Sequence, residues 1–266
     1  MAGGLATSGY AQIYTLNDNN SVATVNVGNT GTLGMQSWQV DPTSYLSQQW
    51  FWYRTTDSGA AHPINTISAA AVNAPYGVNG RALSVTYSVP TYNIRVDYLL
   101  SGGAPLSSGV SDIGETITIN NTGNSTLTFQ LFQYSDFNRN AGGVNDTVEL
   151  GKNLRGLYNE AYQSSPTPNV KLTETVVTPG ANHGEAALIN NTLAEITSPT
   201  FGHLNDQMGP ISGDVTWAFE WDLSIAAGSS AVISKDKYLS VGPVPEPAAL
   251  SLLSLGLVAY ALRKRK

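Results

Sequence analysis

Past Gln12 the chain alternates apolar and polar residues with a period of two, in short runs broken by Gly, Asn and Pro. Ala23, Val25 and Val27 lie on one side of such a run, which ends at the turn residues Gly28-Asn29-Thr30-Gly31. Leu83, Val85, Tyr87 and Val89 form another, and Ile94, Val96, Tyr98 and Leu100 repeat it after Pro90. Period-two alternation over such lengths is the signature of half-buried strands. Residues 115–135 predict a hairpin whose Asn-rich turn, 120–124, ends in the residues a tight reversal needs. The run from Trp217 to Ile225 has large apolar residues at every odd position, and 231–234 follows it as a last strand. No stretch ahead of the final residues keeps a 3.6 period over three turns; 153–163 is a candidate for one short helix. The expectation is an all-β fold, one large antiparallel β-sandwich over 12–242, with jelly-roll and immunoglobulin-like topologies both open. Residues 136–170, rich in Gly, Asn and Pro, read as a long excursion from it.

The chain ends differently. Val244-Pro245-Glu246-Pro247-Ala248 leads into an apolar and small-residue run, 248–262, and then into Arg263-Lys264-Arg265-Lys266. As a helix, about 15 such residues span roughly 22 Å, short for a membrane crossing but apolar enough to enter one. Four terminal cations resist translocation and would hold the end on the cytoplasmic side. The expected division is therefore a sandwich ectodomain over 12–242 and a tail over 243–266, the latter comprising a transmembrane helix at 248–262 and a basic stop at 263–266. At the other end Gly9 and Ala11 stand at the −3 and −1 positions of a cleavage site before Gln12. Residues 1–11 are read as the remnant of a signal peptide.

This tail resembles the PEP-CTERM sorting signal of Gram-negative bacteria that make extracellular polysaccharide. The matching parts are Val244, Pro245, Glu246, Pro247 and Ala248, the Leu252/Leu253/Leu255-Gly256-Leu257 core, and the final Arg263, Lys264, Arg265 and Lys266. The resemblance implies export, recognition of the Pro-Glu-Pro element by the membrane protease exosortase, and removal of the hydrophobic tail. It covers the tail alone and assigns no task to the residues before it.

Composition narrows that task. Charged residues are only 12% of the chain, and the net charge of −6 includes the four cations of the tail, so the remainder is more acidic still. An acidic ectodomain without basic clusters argues against nucleic acid as a partner and leaves neutral polysaccharide, cationic ligands or divalent metal open. With no Cys, stability outside the cell has to come without disulfides.

Standard catalytic motifs are absent from the sequence, so candidates rest on residue type and spacing. Asp136, Asn138 and Asn140 offer oxygen ligands at every second position, as in the start of a calcium loop, although Ala141 and Thr147 replace that loop's glycine and bidentate glutamate. Calcium is the cofactor this run suggests; otherwise no cofactor is expected. Trp50 and Trp52 alternate on one face of a strand and are the candidate platform for stacking sugar rings. His183 with Glu185 would share one side of a strand, and His203 with Asp206 would join them in a metal site; scattered loop histidines otherwise read as surface residues. Glu220 and Asp222, roughly 7 Å apart on one strand face, fall in the range of paired glycosidase carboxylates. The simpler reading is the solvated outer face of that strand. The sequence thus leads to an exported, non-enzymatic surface or matrix protein associated with exopolysaccharide. A lectin-like module or a secreted carbohydrate-active enzyme is the alternative.

Overall fold

The computed structural model describes residues 11–137, 145–166 and 169–242. The sorting tail with its expected span at 248–262, most of the expected leader remnant, and the candidate calcium ligands Asn138 and Asn140 lie outside the described residues. Among the described residues, no helix is long and apolar enough to cross a membrane.

Two nine-stranded, antiparallel sheets make up the fold. Across the first sheet the strands run Ile13–Asp18, Ser21–Asn26, Gly34–Val40, Gln48–Arg54, Leu127–Asp136, Val215–Ile225 and His183–Leu188. The short strands Thr43–Ser44 and His62–Pro63 attach to it from the side. Across the second run Ile211–Gly213, Asp146–Lys152, Tyr158–Ser165, Val170–Thr178, Ser230–Val241, Val110–Asn121, Tyr92–Gly102, Ala82–Val89 and Ala71–Tyr76. The expected all-β sandwich is what forms.

Its connections differ from the local reading at two places, around 120–124 and across 136–170. The runs on either side of 120–124 do not pair with each other: Val110–Asn121 joins the second sheet and Leu127–Asp136 the first. Asn121 makes the corner, donating from Nδ2 to the carbonyls of Ser125 and Ile225 at 2.8 Å each while its Oδ1 accepts from the Gly123 amide. Val215–Ile225 and Ser230–Val241 part in the same way. The supposed excursion at 136–170 contains two strands of the second sheet, and 153–163 is a turn followed by the strand Tyr158–Ser165, not a helix. Side chains with alternating burial along Tyr158–Ser165 outweigh the weak helical spacing.

Between the sheets lies an aromatic core containing Trp38, Trp217, Trp221, Phe51, Phe129, Phe219 and Tyr87, all fully buried. Phe137 stacks on Trp217 with ring centres 5.3 Å apart. The core also encloses four charges. Lys235 and Lys237 point inward from one strand and meet Glu115 and Glu174, and all four side chains are wholly shielded from solvent. Lys237 reaches Glu115 at 2.7 Å and Lys235 reaches Glu174 at 3.1 Å, with a further close contact from Lys235 to Glu115. Gln133 donates to Glu174 at 2.7 Å and the Trp217 indole N–H donates to it at 3.0 Å. Such a cluster is tolerable in low dielectric only because every charge has an opposite neighbour.

Strands Gln48–Arg54, Leu127–Asp136 and Val215–Ile225 are buried on both faces, so Glu220 does not lie on a solvated outer face as the alternation suggested. A cap built from residues 55–66 and 189–210 covers the face turned away from the second sheet. Arg54, itself buried, fastens it. Its guanidinium donates to the main-chain carbonyls of Gly59 at 2.8 Å, Phe201 at 3.0 Å and Asp57 at 3.2 Å, and also to that of Gly202. It lies over the rings of Phe132 and Phe201 at 5.2 and 5.0 Å. The backbone bonds Gly59 to Phe201 and Ala61 to Ile196, each 2.9 Å, join the two halves of the cap.

Two stability experiments follow from these buried charges. Burial alone would raise the Glu174 carboxyl, but Lys235 and Lys237 outweigh it and hold the group at about 2. Its contribution is therefore complete above the ordinary glutamate value of 4.5 and is lost as pH falls through about 2. Glu174→Gln should cost about 3–5 kcal/mol at neutral pH by leaving buried ammonium charge uncompensated, and denaturant unfolding should show the gap to wild type closing on acidification. Arg54→Met should cost about 2–4 kcal/mol through unsatisfied carbonyls. Limited proteolysis should then cut first within 55–61 and 197–203.

Candidate active site

Cross-strand pairing lines up the outward residues of the capped face in rows. One row is Trp52, Phe132, Glu220 and His183; the next is Arg54, Gln130 and Asp222. Rows two residues apart along a strand are roughly 7 Å apart. The polar residues therefore collect where Val215–Ile225 meets the edge strand His183–Leu188, and the cap loop 201–206 passes over them.

Each histidine is held by a carboxylate. His203 Nδ1 lies 2.6 Å from Glu220 Oε1, and Glu220 Oε2 accepts the Leu204 amide at 2.9 Å. His183 Nδ1 lies 3.1 Å from Asp206 Oδ2. The two imidazoles face each other with ring centres 4.9 Å apart and planes inclined by 32°. Asp222 completes the group: its Oδ2 is 3.8 Å from His183 Nε2, and its Oδ1 accepts from Gln130 Nε2 at 2.7 Å. Gln130 Oε1 in turn accepts from Arg54 Nε, so the residue that fastens the cap also fixes Asp222.

Depth separates the roles. Glu220 is fully shielded, whereas the side chains of His183, His203 and Asp222 are 29%, 45% and 32% exposed. A small molecule can therefore touch the imidazoles and Asp222 but not Glu220. Burial pushes the Glu220 carboxyl above its usual range, against the opposing pull of the Leu204 amide and His203. Burial acts the same way on Asp206, but hydrogen bonding from His183 and Tyr158 outweighs it and holds that carboxyl below its usual range. Beside the cluster opens a cleft of about 300 Å³ lined by Asp57, Thr128, Gln130, His203, Asp222 and Ser224.

Of the residues picked from sequence, His183, His203, Asp206, Glu220 and Asp222 come together here. Glu185 shares the face of His183 but is buried, with Thr192 donating to it at 2.7 Å, and Asp222 takes the place expected for it. Burial is the main reason that the Glu185 carboxyl is raised to about 7. His62, the remaining one of the chain's three histidines, sits on the short strand opposite Tyr53 and is not part of the cluster. Trp50 and Trp52 are buried beside the cap, Trp50 donating its indole N–H to Asn65 at 3.2 Å, so neither offers a ring to a sugar. Asp136 is also buried, and burial together with Asp214 raises it to about 7. Arg54 and Gln130 were missed. Nothing local marks them, since their role comes from cross-strand register and a cap about 150 residues downstream of Arg54.

Residues 243–266 match the PEP-CTERM protein-sorting motif. That motif implies an exported protein with a membrane-anchored precursor that exosortase processes. By sequence, the chain matches no curated protein. By structure, it resembles a protein assigned as an aldose 1-epimerase from Escherichia coli K12, with TM-score 0.60 and 10% identity over 88% of this chain and 100% of that one. A galactose mutarotase-like protein from Lactobacillus casei gives TM-score 0.55 and 10% identity over 86% and 100%. A bacterial glucoamylase complexed with acarbose gives 0.57 and 12% over 94% of this chain and 36% of that one. These neighbours overturn the expectation of a non-enzymatic protein, because the two-sheet architecture is one that carbohydrate-active proteins use. At such identities the likeness is one of fold.

Proposed function

We propose that this is an exported carbohydrate-active protein whose sugar site is the cleft beside His203 and Asp222. The carrying observation is the part-exposed pairing of two imidazoles with a carboxylate at the mouth of that cleft, each imidazole oriented by a second carboxylate. The fold likeness to an aldose 1-epimerase and a glucoamylase supports a sugar as the substrate. A cleft of about 300 Å³ suits one sugar ring or chain end. An acidic surface without basic clusters suits a neutral sugar, and exopolysaccharide outside the cell would supply it.

The chemistry needs a proton donor and a proton acceptor within reach of one carbon centre. His203 and Asp222 supply these groups, His183 stands beside them, and Glu220 is a positioning residue that sets the His203 ring. Because Glu220 is shielded, a two-carboxylate hydrolysis by Glu220 and Asp222 is disfavoured, and proton transfer at the anomeric centre fits better. Gln130 and Thr128, which line the cleft, would hydrogen-bond sugar hydroxyls.

Anomer interconversion on a panel of aldoses, followed by polarimetry or NMR together with release of reducing ends from polysaccharide, tests this reading. Asp222→Asn and His203→Ala should each lower turnover about 100-fold or more. Glu220→Gln should lower it less, since it loosens the orientation of the His203 ring without removing the imidazole. Retention of sugar without turnover would reduce the site to a binding module. Absence of both retention and turnover at millimolar sugar would refute the proposal. The export half has its own test: Pro245→Ala with Pro247→Ala should leave the chain uncut and membrane-bound in a host with exosortase, where the wild type loses its tail.

A further inference from the structure

His183, His203 and Asp222 can each offer one ligand atom such that all three atoms lie within 4.8 Å of one another. We infer that these residues form a binding site for a divalent transition metal of the zinc class. The ring nitrogens decide the matter. His183 Nδ1 is taken up by Asp206 at 3.1 Å and His203 Nδ1 by Glu220 at 2.6 Å, which leaves Nε2 of each ring as the coordinating atom. A carboxylate that accepts the far N–H of a metal-binding imidazole fixes its tautomer and strengthens it as a ligand. Here both imidazoles have such a partner. Asp222 adds the anionic ligand, with its Oδ2 3.8 Å from His183 Nε2. Tetrahedral zinc, with bonds of about 2.0–2.1 Å, holds its ligand atoms about 3.4 Å apart. The His183–Asp222 pair is a few tenths of an ångström from that separation; the widest of the three separations, at most 4.8 Å, has to shorten by up to about 1.4 Å through side-chain rotation on metal binding.

Two nitrogens and one oxygen select a borderline metal over calcium or magnesium, which take oxygen ligands. Three protein ligands leave a coordination position free, and the cleft lined by Gln130, Thr128 and Asp57 lies beside it. A metal seated here takes the imidazole lone pairs that the metal-free protein has for proton transfer, and presents a Lewis acid to a sugar hydroxyl or water instead. The metal site shares residues with the proposed sugar site but is tested without sugar, so each can fail alone.

The test uses the untagged full chain in mild detergent, stripped with chelator and titrated with Zn²⁺ by calorimetry and equilibrium dialysis. We expect one zinc per chain at micromolar affinity or tighter, with no competition from millimolar Ca²⁺. Asp206→Asn, which removes the carboxylate behind His183 and keeps an oxygen for the Gly184 amide, should weaken binding about 10–100-fold. His183→Ala with His203→Ala should abolish it, and His62→Ala should leave it unchanged. Variants are compared only after their unfolding midpoints show that they fold. X-ray absorption on the zinc-loaded wild type needs no variant and should show scattering from two imidazoles. Absence of saturable zinc binding, binding that survives loss of both histidines, or a spectrum without imidazole would overturn the assignment.

Discussion

Arg54 lies where two cap loops cross three strands, and its guanidinium answers four main-chain carbonyls that burial would otherwise leave unpaired. The need for it originates in the strands. Gln48–Arg54, Leu127–Asp136 and Val215–Ile225 are buried on both faces, so a second layer has to cover the face that the other sheet does not. Loops can do this only if their backbone groups find partners, because an unpaired buried carbonyl costs about as much as a lost hydrogen bond. Arg54 meets that condition with a rigid fork of donors from a single side chain. Through Gln130 it also reaches Asp222, so closing the cap and setting the site are one event.

A chain without cysteine has no disulfide to hold two sheets in register and needs other means. The aromatic core supplies most of the attraction, but apolar contact is non-directional. The cluster of Glu115, Glu174, Lys235 and Lys237 is directional: each charge is acceptable only opposite its partner, and Gln133 and Trp217 tie it to the first sheet. A slip of one residue in the strand carrying both lysines would turn them away from their carboxylates. We read the cluster as a device for register, at some cost in stability relative to an apolar core.

Much of the fold was legible in the sequence, because period-two alternation is a local property. Leu83, Val85 and Tyr87, facing Tyr98, Val96 and Ile94 across a hairpin, came out as the alternation predicts. What alternation cannot show is which sheet a strand joins, so the pair around 120–124 reads as a hairpin, whereas the segment is a corner between sheets in which no residue takes the positive φ of a tight reversal. Nor can it show a face covered by distant chain. Glu220 alternates with Phe219 and Trp221, which looks like solvent against core until residues 189–210 fold over it. The candidate site was legible in part for the same reason: the acids and histidines could be named, but their meeting depends on the cap. The sorting tail stands at the other extreme, a linear signal read by a partner and therefore complete in the sequence.

Glu220 and Asp222 show why the rim of the cap matters more than residue type. They are both acids, two positions apart, on the same face of one strand. Glu220 lies beneath the loop at 203–204, where both its oxygens are engaged; Asp222 lies one row further out, where one oxygen is held by Gln130 and the other faces the imidazoles and the cleft. Moving the rim by one row would exchange their roles, exposing Glu220 or enclosing Asp222. The reactive constellation is thus set less by the strand that carries the carboxylates than by the place where the cap stops. That place is fixed by the carbonyls of Phe201 and Gly202 on Arg54. A substitution at Arg54 should for this reason disturb the site before it unfolds the sheets, since the core between them makes no use of the guanidinium.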